Sequence, residues 1–333
     1  MLLSRRLVRF PPQERGGAVA IGNFDGVHHG HARLLERLVA TARSVGGPAV
    51  VLTFDPHPAV LLRPDRAPER LTTIDRRADL LARQGVEIVS VLATDRALLD
   101  QSPEAFFRRT VVEAVGAAAI VEGPNFFFGR DRAGTTETLR RLAAEAGLAC
   151  EIVPATGQDL ASVPDPTSPG GSEAGVPLIS SSVVRERLLA GDVAGAGRLL
   201  TAPYRLSGTV GRGDRRGRTI GFPTANVERI TTLLPAAGVY AALAHTVRGP
   251  FPAAVHVGAA PTFGSEAVRV EAHLIGFSGW LYGTPIDVDF VDRVRGVMRF
   301  SGVEALKQQL TEDVAAASAL VLSWMSPPTR GSI

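Results

Sequence analysis

The hydrophobic pattern of this chain changes period near Tyr204, and that break divides it into two differently built halves. Before the break, short apolar runs alternate with amphipathic ones. Ala18–Ile21, Ala49–Thr53, Ile88–Leu92, Ala118–Val121 and Cys150–Val153 read as strands; Gly30–Ser44, Thr73–Gln84, Pro103–Val115, Thr135–Ala146 and Ser181–Ala190 read as helices. Strands alternating with helices predict an α/β fold, a doubly wound parallel sheet whose ligands sit beyond the carboxyl ends of its strands. After the break, Tyr204–Val210, Val239–Thr246, Phe251–Val257, Val268–Ile275 and Ile286–Val294 are short segments separated by Gly and Pro. They predict a small antiparallel β-barrel, and Glu304–Leu322 a C-terminal helix. At 333 residues the chain is long enough for two cores.

Three loops that each follow a predicted strand fall together on one rim of the first half: Gly22–His31, Phe54–Pro58 and Glu122–Gly129. The first carries the strongest chemistry. Gly22-Asn23-Phe24-Asp25-Gly26-Val27-His28-His29-Gly30-His31 joins a strand to a helix through a Gly-punctuated turn. The first turn of a helix offers unpaired N–H groups and the positive end of the dipole, and a glycine lets the backbone approach an anion. His28 and His31 share one helical face, so both imidazoles can donate to the same polyphosphate.

Composition removes competitors. Lys307 is the only lysine, so neither a Walker A loop nor a protein-kinase lysine can be built, and phosphate chemistry must use His, Arg, backbone amides and metal ions. The net charge is only +3, the basic residues are dispersed and stacking aromatics are scarce, which argues against nucleic acid as a partner. Cys150 stands alone, so there is no disulfide framework. Residues 1–17 lack a signal-peptide core and no run approaches a membrane span. The expectation is a soluble cytoplasmic protein without a membrane partner; a homo-oligomer stays open.

His-x-Gly-His at a first strand–helix junction resembles the nucleotidyltransferase superfamily. The longer string Gly-x-Phe-Asp-Gly-Val-His-x-Gly-His is similar to one branch of it, the prokaryotic bifunctional riboflavin kinase/FMN adenylyltransferases, or FAD synthetases. Ile179-Ser180-Ser181-Ser182-Val183-Val184-Arg185 resembles that family's Ile-Ser-Ser-Thr-x-x-Arg signature. Read without the family, its hydroxyls would simply cap a helix. Gly208–Asn226 holds a glycine- and arginine-rich loop that ends in Gly221-Phe222-Pro223-Thr224-Ala225-Asn226, similar to the riboflavin kinase signature. Thr224 and Asn226 lie two apart, so on a strand both face one way and can share Mg²⁺ with nucleotide phosphates.

The resemblance implies a two-domain transferase, with an FMN adenylyltransferase over 1–201 and a riboflavin kinase over 202–333. Its substrates would be riboflavin, FMN and ATP, with Mg²⁺, and FAD its product. Catalytic roles fall to His28, His31, Arg185 and Glu271. Nucleotide contacts fall to Gly22, Phe24, Asp25, Gly26, Ser181, Ser182, Gly213, Arg218, Gly221 and Pro223. Phe54, His57, Asn125, Phe128 and Arg295 would grip flavin, although core packing explains the phenylalanines equally well. The family places Ile179–Arg185 in the first domain, so the Pro-, Gly- and Ser-rich stretch 155–177 reads as a mobile inserted loop. His256, Ala260 and Val297 depart from the family pattern on the flavin side of the kinase half. Two alternatives remain open: a chain with only the adenylyltransferase half active, and a non-catalytic flavin-binding regulator.

Overall fold

The computed structural model describes residues 1–154, 179–213, 217, 220–259 and 268–326. The 155–177 insert, Arg218 and Ala260 lie outside the described residues. Contacts divide the chain into two compact units, Met1–Ser180 and Ser181–Ile333.

In the first unit, β1 (Leu2–Ser4), β2 (Ala18–Ile21), β3 (Ala49–Asp55), β4 (Ile88–Ala93), β5 (Ala119–Glu122) and β6 (Ala149–Ile152) form one sheet of order β1-β4-β3-β2-β5-β6. Every pair is parallel. All four residues of β2 and the first four of β3 are almost fully buried, as expected of strands covered on both faces, and this is why they read as unbroken apolar runs. The intervening helices are α1 (His29–Val45), α2 (Ile74–Arg83), α3 (Pro103–Phe106, continuing as a π-helix over Phe107–Val115) and α4 (Thr136–Glu145). From β2 the chain lays β3 and β4 on one side, and β5 and β6 on the other. The order therefore reverses there, and the crevice beyond the carboxyl ends of β2 and β5 is where such sheets bind ligands.

The second unit begins with α5 (Ser181–Ala190) and α6 (Val193–Leu199). A closed antiparallel barrel of order β10-β11-β8-β7-β12-β9 follows, built from β7 (Arg205–Gly211), β8 (Ala225–Glu228), β9 (Gly238–Thr246), β10 (Gly249–Ala259), β11 (Val268–Leu274) and β12 (Pro285–Arg295). Val255, Val257, Val270, Ala272, Val288 and Phe290 are among its buried residues. The terminal helix α7 (Val303–Met325) lays Ala317 and Val321 against Ala241, Leu243 and Ala254 on the outside of the barrel.

Strand β1, strand β8 and helix α6 were not expected. Strand β1 is three residues long and only half-buried, β8 only four residues, and α6 carries two glycines and starts on the Asp192 cap, whose Oδ1 accepts from Gly195 N at 2.7 Å.

Candidate active site

In the first unit, the turn after β2 is built by Asp25. Its carboxylate, 4% exposed, accepts from Leu71 N (2.9 Å), Thr72 N (3.0 Å), Thr72 Oγ1 (2.9 Å) and Arg77 Nη2 (3.2 Å). Arg77 in turn donates to Thr53 Oγ1 at 2.9 Å, and Thr53 Oγ1 donates to Asn23 O at 3.0 Å. The net fixes a strained path: Phe24 and Val27 hold φ of 45° and 46°, in the left-handed region. Asp25 was expected at the nucleotide; its side chain instead faces inward and holds the loop. An Asp25→Ala variant leaves a buried guanidinium without its counter-charge. It should lose about 3–5 kcal/mol of stability, read as a fall in the chemical denaturation midpoint.

That loop delivers two imidazoles to the start of α1. His28 is the N-cap, and its Nδ1 accepts from His31 N at 3.2 Å, which leaves the Nε2 proton of the neutral ring to donate elsewhere. The His28 and His31 rings stack with centroids 3.6 Å apart, and Phe24 packs against His31 at 5.0 Å. His31 Nδ1 is buried without a hydrogen-bond partner among the described residues. Burial and the neighbouring His29 draw the His28 pKa down to about 4, with Asp25 pulling the other way. Burial and His28 push His31 the same way, well below its ordinary value. Both rings are thus neutral at neutral pH, and two stacked neutral donors can meet an anion without first repelling each other.

Because the folded pKa of His28 lies below its unfolded value, the unfolded chain binds more protons between these limits. Stability is therefore complete above about pH 6.5 and falls toward pH 4, by up to roughly 3 kcal/mol. Denaturation midpoints measured from pH 7 to 4.5 should show this slope, and His28→Asn should make it shallower while the His31 contribution of the same sign remains.

Glu122 closes the same crevice from the end of β5 and was not anticipated. It is 2% exposed and accepts from Ile21 N at 2.6 Å. Burial raises its pKa well above the carboxylate range, against the pull of that bond. An acid ending the apolar run Ala119–Val121 was the signal available in the sequence.

The expected flavin-side residues divide. His57 follows the cis Asp55–Pro56 bond and its Nδ1 accepts from Ala59 N at 3.0 Å, while Asn125 is exposed. Phe54 is half-buried against the core. Phe128 belongs to the core itself: it is 6% exposed, stacked on Phe126 at 5.3 Å and tilted on Phe106 at 6.1 Å. Its expected flavin contact gives way to packing, the outcome its apolar ring favours wherever a core is within reach.

In the second unit, Ser181 opens α5 and is half-buried, Ser182 is exposed, and Arg185 lies half-buried one turn on. On the barrel, Glu271 of β11 sits directly across from Asn226 of β8 on one side and His256 of β10 on the other. Buried Val270, Ala272, Ala225, Val227, Val255 and Val257 alternate with these three, so His256, Glu271 and Asn226 point together to the outside of the barrel. Burial lowers the pKa of His256, with Glu271 raising and Arg295 lowering it.

Thr224 immediately precedes β8. Pro223 O pairs with His273 Nδ1 at 2.8 Å, and Gly221 takes φ +93°. Gly213 approaches Asn226 so closely that a Cβ there would lie 1.9 Å from Asn226 Nδ2. A cavity of about 360 Å³ adjoins Pro223 and Thr224 and is walled by Trp280, Leu281 and Tyr282. No group of three or more His, Cys, Asp or Glu side chains able to hold a metal exists among the described residues. The hydroxyl of Thr224 and amide oxygen of Asn226 still suit Mg²⁺, which keeps its waters and leans on substrate phosphates.

Arg295, expected to close on flavin, is committed to the protein. Its Nε and Nη2 grip Asp313 of α7 at 2.8 and 2.6 Å, and Asp313 is 2% exposed. A buried carboxylate needs a bidentate partner more than an exposed flavin edge does. Arg295→Ala should therefore lower thermal stability of the barrel through the unpaired Asp313.

A family model for FAD synthetase matches residues 10–165, and one for riboflavin kinase matches residues 200–321. A bifunctional riboflavin kinase/FMN adenylyltransferase of Pseudomonas fluorescens is 35% identical over 96% of this chain and 98% of its own. The Escherichia coli (strain K12) protein of the same description is 34% identical over 92% and 93%. A solved structure described as a macrolide-efflux protein from Streptococcus pneumoniae superposes with a TM-score of 0.80 at 30% identity, covering 96% of this chain and 99% of that one. Among the described residues of the present chain, no helix is long and apolar enough to cross a membrane.

Proposed function

The chain belongs to the bifunctional riboflavin kinase/FMN adenylyltransferase family, and from that premise we propose how its own residues divide the two reactions. It is a transferase that phosphorylates riboflavin to FMN and adenylylates FMN to FAD, with ATP as the donor in both. The domain boundary we assign is Thr201–Ala202, well beyond the end of the first family match at 165 and within two residues of the start of the second at 200.

For adenylyl transfer, an FMN phosphate oxygen attacks the α-phosphorus of ATP and pyrophosphate leaves. His28 and His31 donate to the phosphate oxygens as charge builds on them, from a loop whose shape Asp25 fixes. The backbone of Gly22, Phe24 and Gly26 borders the nucleotide. Ser181, Ser182 and Arg185 take the departing phosphates. Phe54, His57 and Asn125 face FMN. The stacked neutral imidazoles at the strand-order reversal are the observation that carries this half.

For the kinase reaction, Glu271 accepts the riboflavin 5′-hydroxyl proton as that oxygen attacks the γ-phosphorus of ATP, and ADP leaves. Gly213, Gly221 and Pro223 frame the nucleotide, and the charge of Arg218 is assigned to its phosphates from the sequence alone. Thr224 and Asn226 would hold Mg²⁺ together with the substrate phosphates, and the ion would supply charge neutralisation there. The cross-strand row of Asn226, Glu271 and His256 carries this half.

The enzyme acts in the cytoplasm on small molecules, with neither nucleic acid nor membrane as partner; its dispersed charge and single cysteine support that reading. Incubation with MgATP and riboflavin, then separately with FMN, tests both halves by HPLC. Riboflavin should give FMN and FAD, and FMN should give FAD. Failure of either conversion removes the corresponding assignment.

A further inference from the structure

Helix α5, which carries Ser181, Ser182 and Arg185, is fastened at its far end to the kinase barrel by one side chain. Arg293 of β12 donates through Nη1 to Ala190 O, the last residue of α5, at 3.3 Å, and through Nη2 to Ala237 O at 2.9 Å. Its guanidinium lies over the Tyr240 ring with its centre 6.0 Å from the centroid, and its Nε is buried with no partner among the described residues. The side chain is thus held for its two carbonyl contacts. A cation at a helix carboxyl end also meets the negative end of the dipole.

The surrounding residues serve the same joint. Ala236 N donates to Leu188 O at 2.9 Å, one turn inside α5. Gly191 takes φ +82°, a conformation that favours glycine, and a Cβ there would lie 2.7 Å from Arg293 Nη1, so a side chain at this position would displace the guanidinium. Arg187 of α5 pairs with Asp192 at 2.5 Å, and Asp192 also caps α6. The helix pair is locked to itself and then pinned to β12.

We propose that Arg293, although it is a barrel residue, is a positioning residue for adenylyl transfer: it holds α5, and with it Arg185 and the hydroxyls assigned to the phosphates, in one orientation on the barrel. This rests on the reading of α5 as a phosphate-holding helix. Nothing in the kinase assignment uses Arg293, so the two activities should respond differently to its loss.

Steady-state kinetics of both reactions on the full chain test this. Arg293→Ala should lower kcat/KM for FAD formation on the order of ten- to hundredfold, mainly through KM for ATP, as a misplaced binding group does. Riboflavin phosphorylation should keep its kcat and KM. Arg293→Met retains the stem over Tyr240 but no donor, and should behave as the alanine variant does; it decides the matter if the alanine variant fails to fold. Arg293→Lys, which restores a cation at the helix end, should recover part of the loss. Wild-type FAD formation in Arg293→Met overturns the proposal, and so does an equal fall of both activities. Arg185→Ala separates the two layers: full FAD formation in that variant overturns the role of α5 itself. An inactive Arg185→Ala beside fully active Arg293 variants overturns the positioning role alone.

Discussion

Replacing Glu271 by alanine is expected to stop FMN formation while FMN added from outside is still converted to FAD. A positioned general base contributes about 10²–10⁴-fold, and riboflavin turnover should fall by that factor. Glu271 lies mid-strand between two hydrogen-bonded neighbours on the outer face of the barrel, so truncation leaves no cavity in the core, and Glu271→Gln should reproduce the loss without changing shape. HPLC of parallel reactions started from riboflavin and from FMN separates the outcomes. If a folded Glu271→Ala chain lost both conversions, the assignment of one reaction to each half would fall.

The reciprocal variant is His28→Asn with His31→Gln, which should make FMN from riboflavin and accumulate it. Asparagine at position 28 keeps an oxygen that can cap α1, a contribution worth about 1 kcal/mol, so the change isolates the imidazoles from the helix they start. Each well-placed donor to a developing oxyanion is worth on the order of 10²–10³ in kcat. The stacked pair acts as a unit, so the double variant should lose less than the product of the singles. Near-normal FAD yield would reduce both histidines to helix-cap chemistry.

Where the sequence was legible, the information was local. Strands β2 to β6 and the helices between them carry their own period and caps, and α5 begins and ends at Ser181 and Ala190 as its pattern implies. The barrel strands were legible for the same reason, apart from β8, which is too short to show alternation. What escaped depends on distant partners. Asp25 looks like a ligand residue because nothing near it in the chain reveals Leu71, Thr72 and Arg77, 46 to 52 positions away. Arg295 looks free until Asp313 arrives on α7, 18 positions later. Phe128 stands beside Phe126 in the chain, but its other aromatic neighbour, Phe106, is 22 positions away and only folding supplies it. In α6, two glycines in seven residues erase helix propensity, and packing against β12 restores the helix.

The row formed by His256, Glu271 and Asn226 limits how this half can tolerate insertions and deletions. Side chains along a strand alternate faces, so a shift of one residue turns a whole strand over. A one-residue deletion within β11 before Glu271 would carry Glu271 into the barrel interior and bring a neighbouring apolar residue, Val270 or Ala272, outward. Length changes are therefore admissible only where the hairpins turn, as at Val247 and Arg248 between the paired Thr246 and Gly249. Natural variants of this barrel should keep the spacing from Val268 to Leu274 fixed while varying that turn, because substitution alters one contact and a slip in register dismantles the row.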